Sequence, residues 1–299
     1  MSKIYIYLSL IFFLIHKNVI EAVCYGKDNP TLVTKIYLKV YKGSSLNPIF
    51  FPYILANLEN ISDTILTDQD SILYIHGFLE NSEMENVQIL IKSYLDKGDV
   101  NVILLDWGNI AFNINYFRVS NMVPMIGKLV AKSLTELHKL IDLNKLHVIG
   151  HSLGAHIAGH IGRSMKIILN RITGLDPAFP LFYPSECHLR SSDAKVVVIL
   201  HTDGGFYGTP FNTGTVDFYA NKGISSQPGC LPTIGRDLCS HQKSVKIYTE
   251  SLRNPKAFPA HKCFNNKKDN EVIYFGDSIP PNIYGAYCFN TNFLQDKGI

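Results

Sequence analysis

The sequence predicts an α/β protein whose mostly parallel sheet carries helices on both faces. Three observations predict it. Short apolar runs at 72–75, 102–105, 146–149, 172–175 and 196–200 have the length and near-continuous hydrophobicity of strands buried on both faces. Stretches of helical period separate several of them. Finally, 46% hydrophobic and only 18% charged residues over 299 positions supply a sizeable core, and no repeat, low-complexity tract or long Gly/Ser linker divides it.

Taken in order, the chain opens with Lys3, an apolar run over 4–15, the polar His16-Lys17-Asn18 and the small Ala22. A basic start, a short greasy centre and a small residue at the end read as a secretory signal peptide over residues 1–22, because a membrane span needs about 20 apolar residues. Residues 23–299 are then one secreted, extracellular domain. A strand over 36–41 alternates in period two. Val87, Leu90, Ile91, Tyr94 and Leu95 share one helix face, and Ile126, Leu129, Val130, Leu134, Leu137 and Ile141 share another. In such a sheet reactive groups collect at the carboxyl ends of the strands.

Secretion gives the cysteines a meaning. Cys24, Cys187, Cys230, Cys239, Cys263 and Cys288 all follow the expected cleavage point, and an even number in an oxidising compartment should pair. Spacing favours local closure of Cys230 with Cys239 and of Cys263 with Cys288, which leaves Cys24 with Cys187. Asn60-Ile61-Ser62 is an N-glycosylation acceptor that secretion makes usable. A net charge of +3 is too small for a dense basic face, so nucleic acid is not expected as a partner.

The strongest chemical signal is Gly150-His151-Ser152-Leu153-Gly154, placed between the run 146–149 and the small-residue helix start Ala155-His156-Ile157-Ala158-Gly159. A serine on so tight a strand-to-helix turn stands exposed above the sheet, and only glycine fits two residues to either side. A hydroxyl is a weak nucleophile at neutral pH, so it needs a histidine base and an acid that fixes the base's tautomer. His241, in Cys239-Ser240-His241, follows the last parallel strands in the chain order nucleophile, acid, base. Asp176 and Asp203 both end strands and compete for the acid. The oxyanion of the attacked carbonyl needs two amides, one from Leu153 after the serine and one from Phe78 in Tyr74-Ile75-His76-Gly77-Phe78. His76 is expected to shape that loop. His147, His151, His156 and His160 lack the intervening Glu of a zinc protease helix, so no metal is expected from them.

Together with Leu105-Asp106-Trp107, Thr173-Gly174-Leu175-Asp176-Pro177-Ala178 and His201-Thr202-Asp203-Gly204-Gly205, these segments resemble the consecutive signatures of the pancreatic-lipase family over about residues 30–290. That family of α/β-hydrolases includes insect lipases and vespid venom phospholipases A1. The resemblance implies Ser152 as nucleophile, Asp176 rather than Asp203 as acid, His241 as base, and Phe78 with Leu153 as oxyanion donors. It implies no cofactor. The family's disulfide-closed lid is reduced here to 231–238, and the second covering loop near 204–215 is also short. Both suit a polar phospholipid headgroup better than bulk triglyceride. Arg190 stands in the family's calcium stretch where an acid is expected, so calcium is not expected either. The chain ends near residue 299, without room for the carboxy-terminal β-sandwich, so colipase is not an expected partner and the protein is expected to be a monomer. The expected activity is phospholipase A1 at the sn-1 position. The alternatives are a triacylglycerol or galactolipid lipase of the insect midgut type and, more remotely, a non-catalytic lipid-binding or yolk-type relative.

Overall fold

The computed structural model describes residues 29–183, 185–231, 238–263, 272–280 and 282–291. The expected signal peptide lies outside them. Strands β1 (Tyr37–Gly43) and β2 (Pro48–Ile54) form an antiparallel hairpin, followed by β3 (Asp70–Ile75), helix α1 (Glu85–Lys97) and β4 (Val100–Asp106). Two short helices, α2 (Gly108–Ala111) and α3 (Tyr116–Ser120), lead into α4 (Val123–Glu136). The sequence continues through β5 (Leu146–His151), α5 (Leu153–Ser164), β6 (Arg171–Leu175), β7 (Val196–His201), β8 (Val216–Ala220), α6 (Cys239–Arg253), β9 (Pro259–Lys262), β10 (Ile273–Tyr274) and β11 (Gly285–Phe289). The eleven strands make one sheet in the order β10-β9-β11-β8-β7-β6-β5-β3-β4-β1-β2. From β4 through β3, β5, β6, β7 and β8 to β11 every pairing is parallel, and the antiparallel pairs flank that run.

Strand alternation splits the core into two layers. Leu73 and Ile75 of β3, Ile103 and Leu105 of β4, Val148 of β5 and Ile199 of β7 face one side, where Ile126 and Val130 of α4 and Ile157 and Ile161 of α5 meet them. Ile72, Tyr74, Leu104, Ile149 and Leu200 face the other, against Val87, Leu90, Ile91 and Tyr94 of α1 and Val245 and Tyr248 of α6. Each such side chain, buried completely, stabilises the fold by about 1.5–3 kcal/mol. Helix α1 carries Glu85 in its first turn and Lys97 in its last, matching its dipole, and stops at Gly98, whose amide donates to the Tyr94 carbonyl.

The helical stripe expected to run to Ile141 ends earlier. Helix α4 closes at Glu136, and Leu137 and Ile141 stay buried in the turns that follow, where the Ile141 amide donates to the Leu137 carbonyl at 2.9 Å. Turns of helical pitch keep the hydrophobic period after the helix itself has stopped. Strands β2, β8, β9, β10 and β11 lie outside the expected strand runs. Pro48 and Pro52 hide the edge strand β2, and a buried Asp217 interrupts β8, its carboxylate accepting from His201 Nε2 at 2.8 Å. Among the described residues no helix is long and apolar enough to cross a membrane.

Candidate active site

Four loops leave the carboxyl ends of neighbouring parallel strands and converge. Ser152 sits between β5 and α5 with φ 55° and ψ −121°, a left-handed strained backbone for a residue with a side chain. The bend is tight because a Cβ on Gly150 would meet the Gly154 carbonyl oxygen at 2.3 Å, and one on Gly154 would meet the Ile75 carbonyl oxygen at 2.2 Å. The Ser152 amide is tied to the Leu175 carbonyl at 3.1 Å, which pins the elbow to β6. Leu153 opens α5, so its amide belongs to the first-turn donors that a helix leaves without an intrahelical partner.

Asp176 follows β6 at φ 45° and is fully buried. Its Oδ1 accepts from the Thr202 amide at 2.7 Å and the Asp203 amide at 3.1 Å, and its Oδ2 accepts from His241 Nδ1 at 2.6 Å. His241 lies in the first turn of α6, one residue beyond Ser240, whose hydroxyl accepts from the Gln227 amide at 3.1 Å. Cys239, which starts this helix, is disulfide-bonded to Cys230, so His241 is tethered at the point where its helix begins. Asp203 does not take the His241 proton. It accepts from the Ser225 hydroxyl and, at 3.3 Å, from the Tyr207 amide, and burial pushes its pKa up. Asp176, Asp203 and His241 offer ligand atoms within 4.8 Å of one another, but both Asp176 oxygens already accept hydrogen bonds, from two amides and an imidazole.

Phe78 leaves β3 beside this group, its ring edge-on to Tyr116 at 5.1 Å. His76 is completely buried; Trp107 donates its amide to His76 Nε2 at 3.2 Å and its indole N–H to the His76 carbonyl at 2.9 Å, so His76 shapes the loop. His156 is likewise engaged: its Nε2 meets the Ala178 carbonyl at 2.7 Å and its Nδ1 accepts from the Leu189 amide at 3.0 Å, with burial holding its pKa well below the usual value. Ser152 and His241 open onto a trough of about 570 Å³ lined mainly by Phe78, Leu79, Met84, Tyr116, Pro180, Tyr207 and Leu238. Of these, Phe78 was named from the sequence, and Tyr207 and Leu238 fall in the two covering segments expected there; the others carry no motif and are brought in by the loops that hold them.

The stretch before β7 holds a guanidinium. The fully buried Asp193 accepts from Arg163 Nε at 3.0 Å and Nη2 at 2.6 Å and from the Arg190 amide at 3.0 Å, while Arg163 also donates to the Glu186 and His188 carbonyls. Carboxylate and carbonyls that would coordinate a hard cation are thus satisfied by an arginine. Chelation with EDTA is expected to leave both hydrolytic rate and melting temperature unchanged; a loss restored by calcium would show that a cation competes with Arg163. Cys263 is bonded to Cys288, and Cys24, expected to pair with the buried Cys187, lies outside the described residues. Asn60 is exposed and left-handed at φ 62°, ahead of the 3-10 turn Ile61–Asp63.

Comparison with known proteins agrees with this architecture. The Lipase family profile matches residues 51–272, and the chain belongs to that family. It is 34% identical over 264 residues to "Probable phospholipase A1 magnifin" of Vespa magnifica, covering 77% of each chain. It is 35% identical over 241 residues to a phospholipase A1 of Vespa crabro, covering 71% of this chain and 78% of that one. To the pancreatic triacylglycerol lipase of Cavia porcellus it is 34% identical over 243 residues, covering 73% of this chain and 52% of the relative, so it spans about half the length of that lipase.

Proposed function

We propose that the protein is a secreted serine hydrolase of lipid carboxylic esters, and that its preferred reaction is that of a phospholipase A1, freeing the fatty acid at the sn-1 position. The observation that carries this reading is the Asp176–His241 hydrogen bond beside Ser152 on one apolar trough. Ser152 Oγ attacks the ester carbonyl carbon and its proton passes to His241 Nε2, while Asp176 holds the proton on Nδ1. The oxyanion is stabilised by the amides of Phe78 and Leu153. His241 then protonates the departing alcohol, leaving an acyl-enzyme, and a water deprotonated by His241 releases the acid and restores Ser152. These steps use the chain's own groups and call on no cofactor.

The trough's rim supports a lipid substrate. Met84, Phe117, Phe206 and Leu238 are large apolar side chains left exposed within or next in sequence to its lining. The Cys230–Cys239 bridge closes a separation of nine residues, too short a cover to hide the trough, and a more open trough admits a charged headgroup. The same reading takes residues 1–22 as a removed signal, 23–299 as one catalytic domain acting as a monomer without colipase, Cys24 as the partner of Cys187, and Asn60 as a glycan acceptor. Triacylglycerol hydrolysis is the second reading, favoured by the likeness to the Cavia porcellus lipase.

The test is product analysis on a phosphatidylcholine with different acyl chains at its two positions, run beside a triglyceride emulsion. The expected result is release of the sn-1 chain, hydrolysis of short-chain phospholipid below its aggregation threshold, and slower attack on long-chain triglyceride. Near silence on dispersed phospholipid with rapid emulsion hydrolysis would establish the second reading.

A further inference from the structure

We propose that Glu80 is a positioning residue of the oxyanion loop, a buried carboxylate that locks the Phe78 amide in register with Ser152. The proposal rests on the esterase reading above and deepens it. Glu80 Oε2 accepts from the Gly77 amide at 2.6 Å and pairs with His151 Nδ1 at 3.1 Å, and Oε1 accepts from Asn86 Nδ2 at 2.8 Å. Gly77 directly precedes Phe78, and His151 directly precedes Ser152. One carboxylate therefore joins the loop bearing an oxyanion donor to the elbow bearing the nucleophile, with Asn86 of α1 as a third anchor. His151 extends the connection to the base, its ring 4.7 Å from that of His241.

The loop needs such a tie. Leu79, between Phe78 and Glu80, has φ 55°, a backbone state that a bulky residue keeps only where its surroundings impose it. Its amide is held by the Ala111 carbonyl at 3.1 Å, and Glu80 supplies the anchors on its other side. Both members of the pair are nearly inaccessible, Glu80 at 6% and His151 at 2% exposure. Burial works against ionising Glu80, and His151, the Gly77 amide and His76 outweigh it, holding its carboxyl at about 2. Burial likewise opposes the charge on His151, and Glu80, Asp176 and the His241 backbone reverse it, raising its pKa. The ionised Glu80 carboxylate makes these hydrogen bonds charge-assisted on its side, stronger than neutral ones. Oxyanion donors act only when held about 2.7–3.1 Å from the position of the developing charge, so stiffness here translates into rate.

The test compares full-length wild-type protein with Glu80→Gln and Glu80→Ala on a water-soluble p-nitrophenyl ester and on its thiono counterpart, in which C=S replaces C=O. Sulfur accepts hydrogen bonds poorly, so thiono-ester hydrolysis leans less on the oxyanion donors. On the oxygen ester kcat is expected to fall about tenfold in E80Q and about a hundredfold in E80A, with KM within about twofold of wild type, and the thiono ester is expected to lose less than about threefold. Equal losses on both esters, or unchanged kcat on both, would overturn the proposal. Should either variant fail to fold, Asn86→Ala, which removes one anchor of Glu80, reads the same ratio: a lowered oxygen-over-thiono preference supports the tie, and a wild-type preference refutes it. Ser152→Ala separates the two levels. Wild-type rates in S152A would remove the esterase reading, whereas an inactive S152A beside an E80Q enzyme of wild-type preference would remove only the role of Glu80.

Discussion

Ser152→Ala is expected to lower kcat on any ester substrate by about 10⁶-fold while leaving the melting temperature unchanged. The expectation separates chemistry from packing. In the proposed mechanism Oγ is the atom that forms the acyl-enzyme bond, so its removal loses every later step. The fold around it is held by other contacts: the Ser152 amide donates to the Leu175 carbonyl, its carbonyl accepts from the amides of Ala155 and Ala178, and the elbow closes on Gly150 and Gly154. None of these uses the hydroxyl, and its removal leaves a cavity smaller than a methyl group. Rates and thermal melts measured on the same preparation check both halves; a variant that stays active removes Ser152 from the mechanism.

Asp176→Asn is expected to cost about 10⁴-fold in kcat, again with the fold intact. The two carboxylate oxygens have different partners, and that fixes how the amide must sit. Oδ1 accepts two backbone amides, from Thr202 and Asp203, so the asparagine carbonyl oxygen occupies that position. Its NH₂ then replaces Oδ2 and points a donor at His241 Nδ1. The imidazole must present a lone pair there and carry its proton on Nε2, the wrong tautomer to accept the serine proton. Partial recovery of rate at high pH, where hydroxide substitutes for the missing base, would distinguish this cause from a collapsed site. A loss of tenfold or less would mean that a second acid, with Asp203 the nearest, supports the base.

The parallel sheet was legible because its central strands are apolar on both faces, which leaves a continuous hydrophobic signature. The peripheral strands were not. β2 carries two prolines, β8 buries an aspartate that pairs with His201, and β10 has only two residues, so none shows a strand period of its own. The tight turn at Ser152, the strand-end aspartates Asp176 and Asp203 and the helix-start His241 could be read from local spacing, since strand ends and helix starts are themselves local features. Choosing Asp176 over Asp203 needed family resemblance, because both end a strand. What distinguishes them is the pair of amides on Thr202 and Asp203, a long-range contact that no spacing encodes. Gly208 is another such case: a Cβ there would lie 2.3 Å from Asp176 Oδ2, so the loop after β7 must carry glycine to admit the carboxylate. Glu80 carried no motif for the same reason, its partners lying 3, 6 and 71 residues away.

If Ser152 Oγ is the nucleophile of a lipid esterase, a reagent that traps activated serines must attach to it and to no other residue. The most direct measurement is inactivation with one equivalent of an alkyl p-nitrophenyl phosphonate, followed by mass analysis of the proteolytic peptides. The phosphonate is attacked as an ester carbonyl would be, loses p-nitrophenol and stays bonded to the serine oxygen. One p-nitrophenol released per protein molecule, complete loss of activity and a single adduct on Ser152 are the expected results. Complete inactivation with the adduct on any other residue, or retained activity after Ser152 is fully modified, would remove Ser152 from that role.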